Sequence, residues 1–320
     1  MAKNSWWSRL FGAGAKQPVR PPVGGLVSTR EFPIVEPSLI EPELNGHNTV
    51  HRLKVGVVST VGLYREHNED NFFVPGLPHV RHDRVADTDL ETSAILEVMD
   101  KWVSLVVADG MGGQLAGEKA SLMAVEMIPR ELSRRLAPLV SDDKLTQRMV
   151  RDAVAEVNKE ILAVSHIGPE FSNMGTTVVL TVFRNNRVYV ANIGDSRAYR
   201  LRHEKLERLT KDHSLADALN EAGTITAAEV KNHKFKNVLY LYLGSKEARS
   251  GPEQVSVLDV QPGDRFLLAT DGLTGVVEDE QLAGILGSMS DPQQASKTLV
   301  DLALENQSRD NVTVMVIHVE

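Results

Sequence analysis

From Leu53 onward the chain is a succession of nine short apolar runs rich in β-branched residues, and between the third and fourth stand two long stretches of helical period. The runs fall at 53–58, 71–74, 103–108, 176–183, 187–192, 197–201, 255–259, 265–270 and 312–319, and their length and flanks predict strands. Ala120, Met123, Ala124, Met127, Ile128 and Leu132 recur at i, i+3, i+4, as do Leu145, Met149, Ala153, Val157 and Ile161, which predicts two amphipathic helices. Pro129 removes a backbone donor inside the first and predicts a kink there. Tight turns at 184–187 and 202–204 predict antiparallel hairpins, and later helices are expected at 279–287 and 292–305. Hairpins together with paired long helices argue for an α+β sandwich of antiparallel sheets with helices outside, and against a parallel nucleotide-binding sheet.

The first 50 residues behave differently. They hold six of the 14 prolines, and no period survives past Phe11, so they read as a flexible Pro-rich tail ahead of one domain at 51–320. Five Lys/Arg and no acid occur before residue 31, and four acids and no base at 31–43. Trp6, Trp7, Leu10 and Phe11 would share one face of a short helix, a candidate for weak docking on a membrane surface or a partner. The net charge of -8 lacks the basic excess that gripping nucleic-acid phosphates requires. The longest apolar runs, about eight residues, fall far short of the roughly 20 of a membrane helix. With no cysteine there is no disulfide and no thiolate zinc site, so any metal is held by oxygen or imidazole. That usage and the missing signals lead us to expect a cytoplasmic protein. The His-, Arg- and Asp-rich stretch 78–100 reads as a surface insertion.

The placement of acids carries the chemistry. Glu69-Asp70, Asp109-Gly110, Gly194-Asp195, Asp271-Gly272 and Asp310-Asn311 all stand at strand ends beside Gly, Asn or each other. Any one of these doublets is most simply a turn. Several carboxylates at the rim of a buried sheet would repel each other and raise one another's pKa, and a divalent cation is their natural counter-charge. Oxygen donors select Mg²⁺, Mn²⁺ or Ca²⁺ over zinc.

In order, the chain reads Gly62-Leu63-Tyr64-Arg65-Glu66-His67-Asn68-Glu69-Asp70, Val106-Val107-Ala108-Asp109-Gly110-Met111-Gly112-Gly113, Gly175-Thr176-Thr177, Ala191-Asn192-Ile193-Gly194-Asp195-Ser196-Arg197-Ala198-Tyr199, Ala269-Thr270-Asp271-Gly272 and Asp310-Asn311-Val312-Thr313. Over roughly residues 53 to 320 this resembles the metal-dependent PP2C-type serine/threonine protein phosphatases in their bacterial form. The resemblance implies an α-β-β-α sandwich, two mainly antiparallel sheets flanked by helix pairs. It also implies two Mg²⁺ or Mn²⁺ ions at one end, and hydrolysis of phosphoserine and phosphothreonine in proteins by in-line attack of a water that the ions activate, opposing a serine/threonine kinase. By the same resemblance Asp109 bridges the ions, the Gly110 carbonyl joins one, Asp271 and Asp310 hold the other, and Glu69 and Asp70 act through waters. Asp195 with Asp271 matches a third, weaker metal position, and Arg65 matches the phosphate-binding arginine.

Asn311 is expected to orient Asp310, and Thr176 and Thr177 to lie beneath the site as sheet residues. Animal members place a histidine after the Asp-Gly as general acid, whereas Met111 has no proton to give. His67 is a candidate substitute and His213 a structural residue. Residues 213–245 resemble a flap, with Gly223-Thr224-Ile225-Thr226 linking two short helices. The alternative is a non-catalytic phosphoprotein-binding module, but such a module could lose Asp109, Asp271 or Asp310 without cost, and all three are present.

Overall fold

The computed structural model describes residues 51–77, 89–98, 102–112, 114–136 and 142–320; the tail at 1–50 and the 78–88 and 99–100 parts of the expected insertion lie outside the described residues. Its elements begin β1 (His51–Thr60), β2 (Asp70–Phe73), β3 (Leu90–Val98), β4 (Val103–Met111), α1 (Gln114–Leu136), α2 (Asp143–Ser165), β5 (Gly175–Thr176), β6 (Val178–Arg184), β7 (Arg187–Ile193), β8 (Arg197–Arg202) and β9 (Lys205–Arg208). They continue with α3 (Leu215–Glu221), α4 (Ala227–Val230), β10 (Val255–Asp259), β11 (Arg265–Ala269), α5 (Asp271–Thr274), α6 (Asp279–Ser288), α7 (Pro292–Glu305) and β12 (Val312–Val319).

One sheet has the order β3-β1-β12-β11-β8-β9; the other runs β10-β7-β6-β4-β2, with β5 attached to β4, and all the pairings are antiparallel. Three apolar layers make the sandwich. Leu53, Val55 and Val57 of β1, Leu105 and Val107 of β4, and Phe183 and Phe266 fill the space between the sheets. The last two rings meet edge-on, with centroids 5.4 Å apart. Ala120, Ala124 and Ile128 of α1 and Val150, Val154 and Val157 of α2 pack on Val106, Leu180 and Ala191 outside the second sheet. Leu282 and Leu286 of α6 and Ala295 and Leu299 of α7 cover Leu267, Val314 and Val316 outside the first. Each fully buried Val or Leu contributes about 1.5–3 kcal/mol in transfer free energy, so alternation along the strands dictates both faces of each sheet.

Local chemistry sets the ends of the helices. Asp142 caps α2 by accepting from the Leu145 N–H at 2.9 Å, and Asp291 caps α7 with Pro292 at its first position. Helix α1 continues through Pro129. Two strands escape the sequence reading. Residues 90–98, expected as insertion, form β3 and pair with β1 along its length from His51↔Val98 to Ser59↔Leu90. At this edge only alternate side chains are covered, so the polar Glu91, Ser93 and Glu97 are tolerated on the open face and dilute the apolar signal. The short β9 carries three charges among its four residues and is held by the hairpin with β8.

Antiparallel order brings distant segments to one end of the sandwich. The exit of β1, the start of β2, the end of β4, the turn from β7 to β8, the exit of β11 and the start of β12 all lie there, and these are the acidic positions.

Candidate active site

Strand β4 does not stop at Ala108. It runs on to Met111 because Gly110 pairs with Thr176 and Met111 with Gly175, which places Asp109 within the strand. Across from it, Asp70 is the direct register partner of Asp109. Like charges directly opposed on neighbouring strands are destabilising unless something neutralises them. Their backbones are nevertheless tied firmly. The Asp109 carbonyl accepts from the Thr176 hydroxyl and the Thr177 N–H, both at 2.8 Å, while the Asp109 N–H donates to Thr177 Oγ1 at 3.1 Å. Thr177 in turn shares a 2.6 Å hydrogen bond with Ser196. Thr176 and Thr177 are therefore buried supports beneath the site, as expected.

Glycine makes room for the acids. The Gly110 N–H donates to the Glu69 carbonyl at 3.1 Å, and a Cβ on Gly110 would stand 2.3 Å from the Gly117 carbonyl oxygen of α1. A Cβ on Gly117 would reach 2.5 Å from Glu69 Oε2, so helix and strand approach backbone to backbone. One turn further along α1, the buried Ser121 hydroxyl donates to the Glu69 carbonyl at 2.6 Å and accepts from Asn71 Nδ2 at 2.9 Å. Nothing in the sequence sets Gly117, Ser121 and Asn71 apart; their signal is confined to their spacing from Asp109 and Asp70.

Burial first, and then the neighbouring carboxylates, push these acids upward. Asp70 is pushed up to about 8 by desolvation and by Asp310 and Asp271, although hydrogen bonds from Thr313 and Thr270 oppose the shift. Asp109 is raised well above the carboxylate range by burial and by Asp70, Asp271, Asp195 and Asp310. Asp195, in the turn after β7, is raised by burial, Asp271 and Asp212. Asp271, the first residue of α5, is pushed up to about 6 by burial and Asp310. Glu69 is raised by burial, while Arg65 pulls it back. The five acidic segments of the sequence thus meet in one field of mutual repulsion.

Asp310 and Arg65 form the exposed side of the site. Arg65 Nη2 donates to Asp310 Oδ2 at 2.7 Å, and the Asn311 N–H donates to Asp310 Oδ1 at 2.9 Å. The Asn311 side chain does not orient Asp310. Buried at this position, it accepts from the Glu69 N–H and donates to the Val61 and His67 carbonyls, each at 2.9 Å, clamping the loop that carries Arg65. His213 is buried, its Nδ1 at 3.0 Å from the Gly194 nitrogen, and burial lowers its pKa, in keeping with a structural part. Nearby, Arg197 donates to the buried Asp212 from Nε and Nη2, and Arg208 joins them.

A cleft of about 640 Å³ leads away from Asp195 and Asp271. One wall is the 213–245 segment, where Gly223 at φ +69° begins the link from α3 to α4, as expected; the other is formed by residues 274–280. Lys231 pairs with Glu278 across it at 2.5 Å.

A cation fits this donor set. Asp70 Oδ1 and Asp271 Oδ1 are buried with no hydrogen-bond partner, which is costly for a carboxylate facing only protein. Among the described residues no three acidic or imidazole groups close on one point as they stand, and Asp310 has both oxygens engaged. The remaining donors are hard oxygens, which suit Mg²⁺ or Mn²⁺.

A family model described as protein phosphatase 2C matches residues 83–306. The serine/threonine phosphatase Stp of Listeria monocytogenes serovar 1/2a is 32% identical over 258 residues, covering 80% of this chain and 92% of that protein. The serine/threonine protein phosphatase PstP of Mycobacterium tuberculosis H37Rv is 33% identical over 217 residues, covering 67% of this chain and 40% of that protein. Among solved structures, the PstP catalytic domain in complex with two manganese ions aligns with a TM-score of 0.65 at 29% identity, covering 84% of this chain and 99% of that one. Stp1 from Staphylococcus aureus aligns with a TM-score of 0.67 at 28% identity, covering 83% of this chain and 94% of that one.

Proposed function

The chain belongs to the protein phosphatase 2C family, and from that premise we propose how its site works as a metal-dependent serine/threonine protein phosphatase. The observation that carries the reading is the pair of orphaned buried carboxylate oxygens, on Asp70 and Asp271, inside a cluster of acids with raised pKa values. Asp109, Asp271, Asp310 and the Gly110 carbonyl would hold two Mg²⁺ or Mn²⁺ ions, with Glu69 and Asp70 acting from outside them and Asp195 serving a third position. When bound, such a pair supplies Lewis acidity and lowers the pKa of a water for attack on phosphorus.

The chain's own groups do the rest. Arg65 offers a planar, permanently charged donor to the phosphate oxygens. In the structure it is paired with Asp310, so taking phosphate means exchanging one anion for another. Asn311 keeps Arg65 in register by clamping its loop. Met111 supplies no proton for the leaving hydroxyl, and His67, on the clamped loop, is the imidazole in that segment. The substrates are phosphoserine and phosphothreonine proteins, furnished by a serine/threonine kinase. The phosphatase domain is residues 51–320. Among the described residues no helix is long and apolar enough to cross a membrane. Trp6, Trp7, Leu10 and Phe11 are the candidates for weak docking to a membrane surface or partner, and the cytoplasm is the compartment we assign.

The test is hydrolysis of p-nitrophenyl phosphate and a phosphothreonine peptide with Mn²⁺, Mg²⁺ or EDTA. Wild type should turn over both only with metal, and Asp109→Ala should lose about a thousandfold or more in kcat. Turnover that survives EDTA, or folded wild type inactive with every metal, would overturn the reading and favour the binding module.

A further inference from the structure

Of seven large apolar side chains left exposed among the described residues, Leu63 and Tyr64 are the only two adjacent in sequence, and they directly precede Arg65. Leu63 is 53% exposed and Tyr64 56%, on a loop whose following residues are charged or polar. A floppy loop would fold such residues away from water. This one cannot, because it is strapped to the 307–311 segment along its whole length. Gly62 sits at φ +80°, where a Cβ would stand 2.6 Å from the Asp310 carbonyl oxygen. The Tyr64 hydroxyl donates to Gln307 Oε1 at 2.8 Å, Arg65 is on Asp310, and Asn311 donates to the carbonyls of Val61 and His67. The aromatic ring is thus presented outward by a hydrogen bond at its tip, and the ordering cost of a contact with it is already met in the free protein.

We propose that Leu63 and Tyr64 form a docking ledge for the substrate polypeptide, selecting phosphoproteins that carry a large apolar side chain beside the phosphorylated serine or threonine. The proposal rests on the phosphatase reading above. It is argued from continuity with the site: Leu63 and Tyr64 are the two exposed positions directly before Arg65, so they are within reach of a residue flanking the phosphorylated one if Arg65 takes the phosphate. Exposed apolar groups next to a site, backed by a rigid frame, are where docking energy concentrates. The ledge lies on a different loop from the 213–245 segment that walls the cleft.

The experiment uses the full chain with Mn²⁺ and two phosphothreonine peptides that differ only in Leu or Ser on both sides of the phosphorylated residue, with p-nitrophenyl phosphate as a substrate that has no flanks. Wild type should prefer the Leu peptide by about tenfold in kcat/KM, the size that burying one or two apolar groups supports. Leu63→Ser and Tyr64→Ser should each lose most of that preference and leave p-nitrophenyl phosphate turnover unchanged, whereas Tyr64→Phe, which keeps the ring but loses its hydrogen bond to Gln307, should keep part of it. No preference in wild type, or a preference that survives both serine variants, would overturn the ledge. So would an equal loss on p-nitrophenyl phosphate, which would mean that Arg65 had moved, or a gain, which would mean that another part of the chain or a second copy covers the ledge. Should wild type turn over none of the three, the phosphatase reading fails, and anisotropy with the two labelled peptides still decides the ledge by the same Leu-to-Ser comparison.

Discussion

At one end of the β3-β1-β12-β11-β8-β9 sheet, Asp264 is 1% exposed and accepts from Arg202 Nε and Nη2 at 2.6 Å each, with the Gln261 N–H at 2.9 Å completing its shell. Asp259 accepts from Arg202 Nη1 at 3.0 Å, and that hydrogen bond, against some burial, holds its pKa below the ordinary value. At the other end of the sandwich, Asp70 at the start of β2 is buried and Asp271 after β11 half-buried, each with one buried oxygen unpartnered and a raised pKa. Both ends bury carboxylate oxygens. The chain supplies the counter-charge at one and leaves it to an external cation at the other. A buried acid therefore does not mark a site by itself; a buried acid whose own chain declines to neutralise it does.

The contrast can be broken from the compensated end first. Arg202→Met should leave Asp264 buried without its partner and cost about 3–5 kcal/mol, read as a lower urea midpoint, while metal-dependent turnover by the folded fraction persists. A loss under about 1 kcal/mol would mean that Asp264 is not buried as described.

His318, also at this end, sharpens the point because its Nε2 has no partner. Burial, with Arg265 adding to it, holds His318 down to about 4, from 6.5. Between those values the unfolded chain binds a proton that the folded chain refuses, so stability should fall as pH drops from 6.5 to 4, by up to about 3 kcal/mol. Urea midpoints of wild type and His318→Gln at about pH 7 and about pH 4.5 give the difference; parallel changes in the two proteins would refute it.

At the site end the sign reverses. Asp271→Asn in EDTA at about pH 8 removes an ionised, half-unpartnered carboxylate and should raise stability by about 1–2 kcal/mol, while abolishing the further stabilisation that Mn²⁺ gives wild type. Thermal melts with and without Mn²⁺ would show it, and a lower melting temperature for the variant in EDTA would count against the account.

Much of this was legible from residue order. The strands with continuous apolar runs, such as 103–108 and 312–319, and the helices with clean period, 145–161 and 292–305, appear where expected. Strand β3 was not legible, because an edge strand with polar alternate positions looks like loop until its partner β1 is known. The carboxylates could be read because Asp-Gly and Asp-Asn recur at strand ends. Their supports could not, since Ser121, Asn71 and Gly117 are ordinary residues whose role exists only where α1 crosses β4 and β2. Asn311 acts in two places: its N–H meets Asp310 Oδ1, and its side chain works on another segment. Adjacency in sequence points to Asp310 as its partner, whereas its side chain reaches the loop 61–69.

The most direct test of the claim that the site end waits for an external cation is a calorimetric titration of the metal-free protein with Mn²⁺, beside Asp109→Ala. The account predicts saturable binding of about two ions per chain by wild type, lost or reduced to weak residual binding in the variant with its fold intact. No saturable binding by folded wild type, or the same isotherm for both proteins, would contradict it.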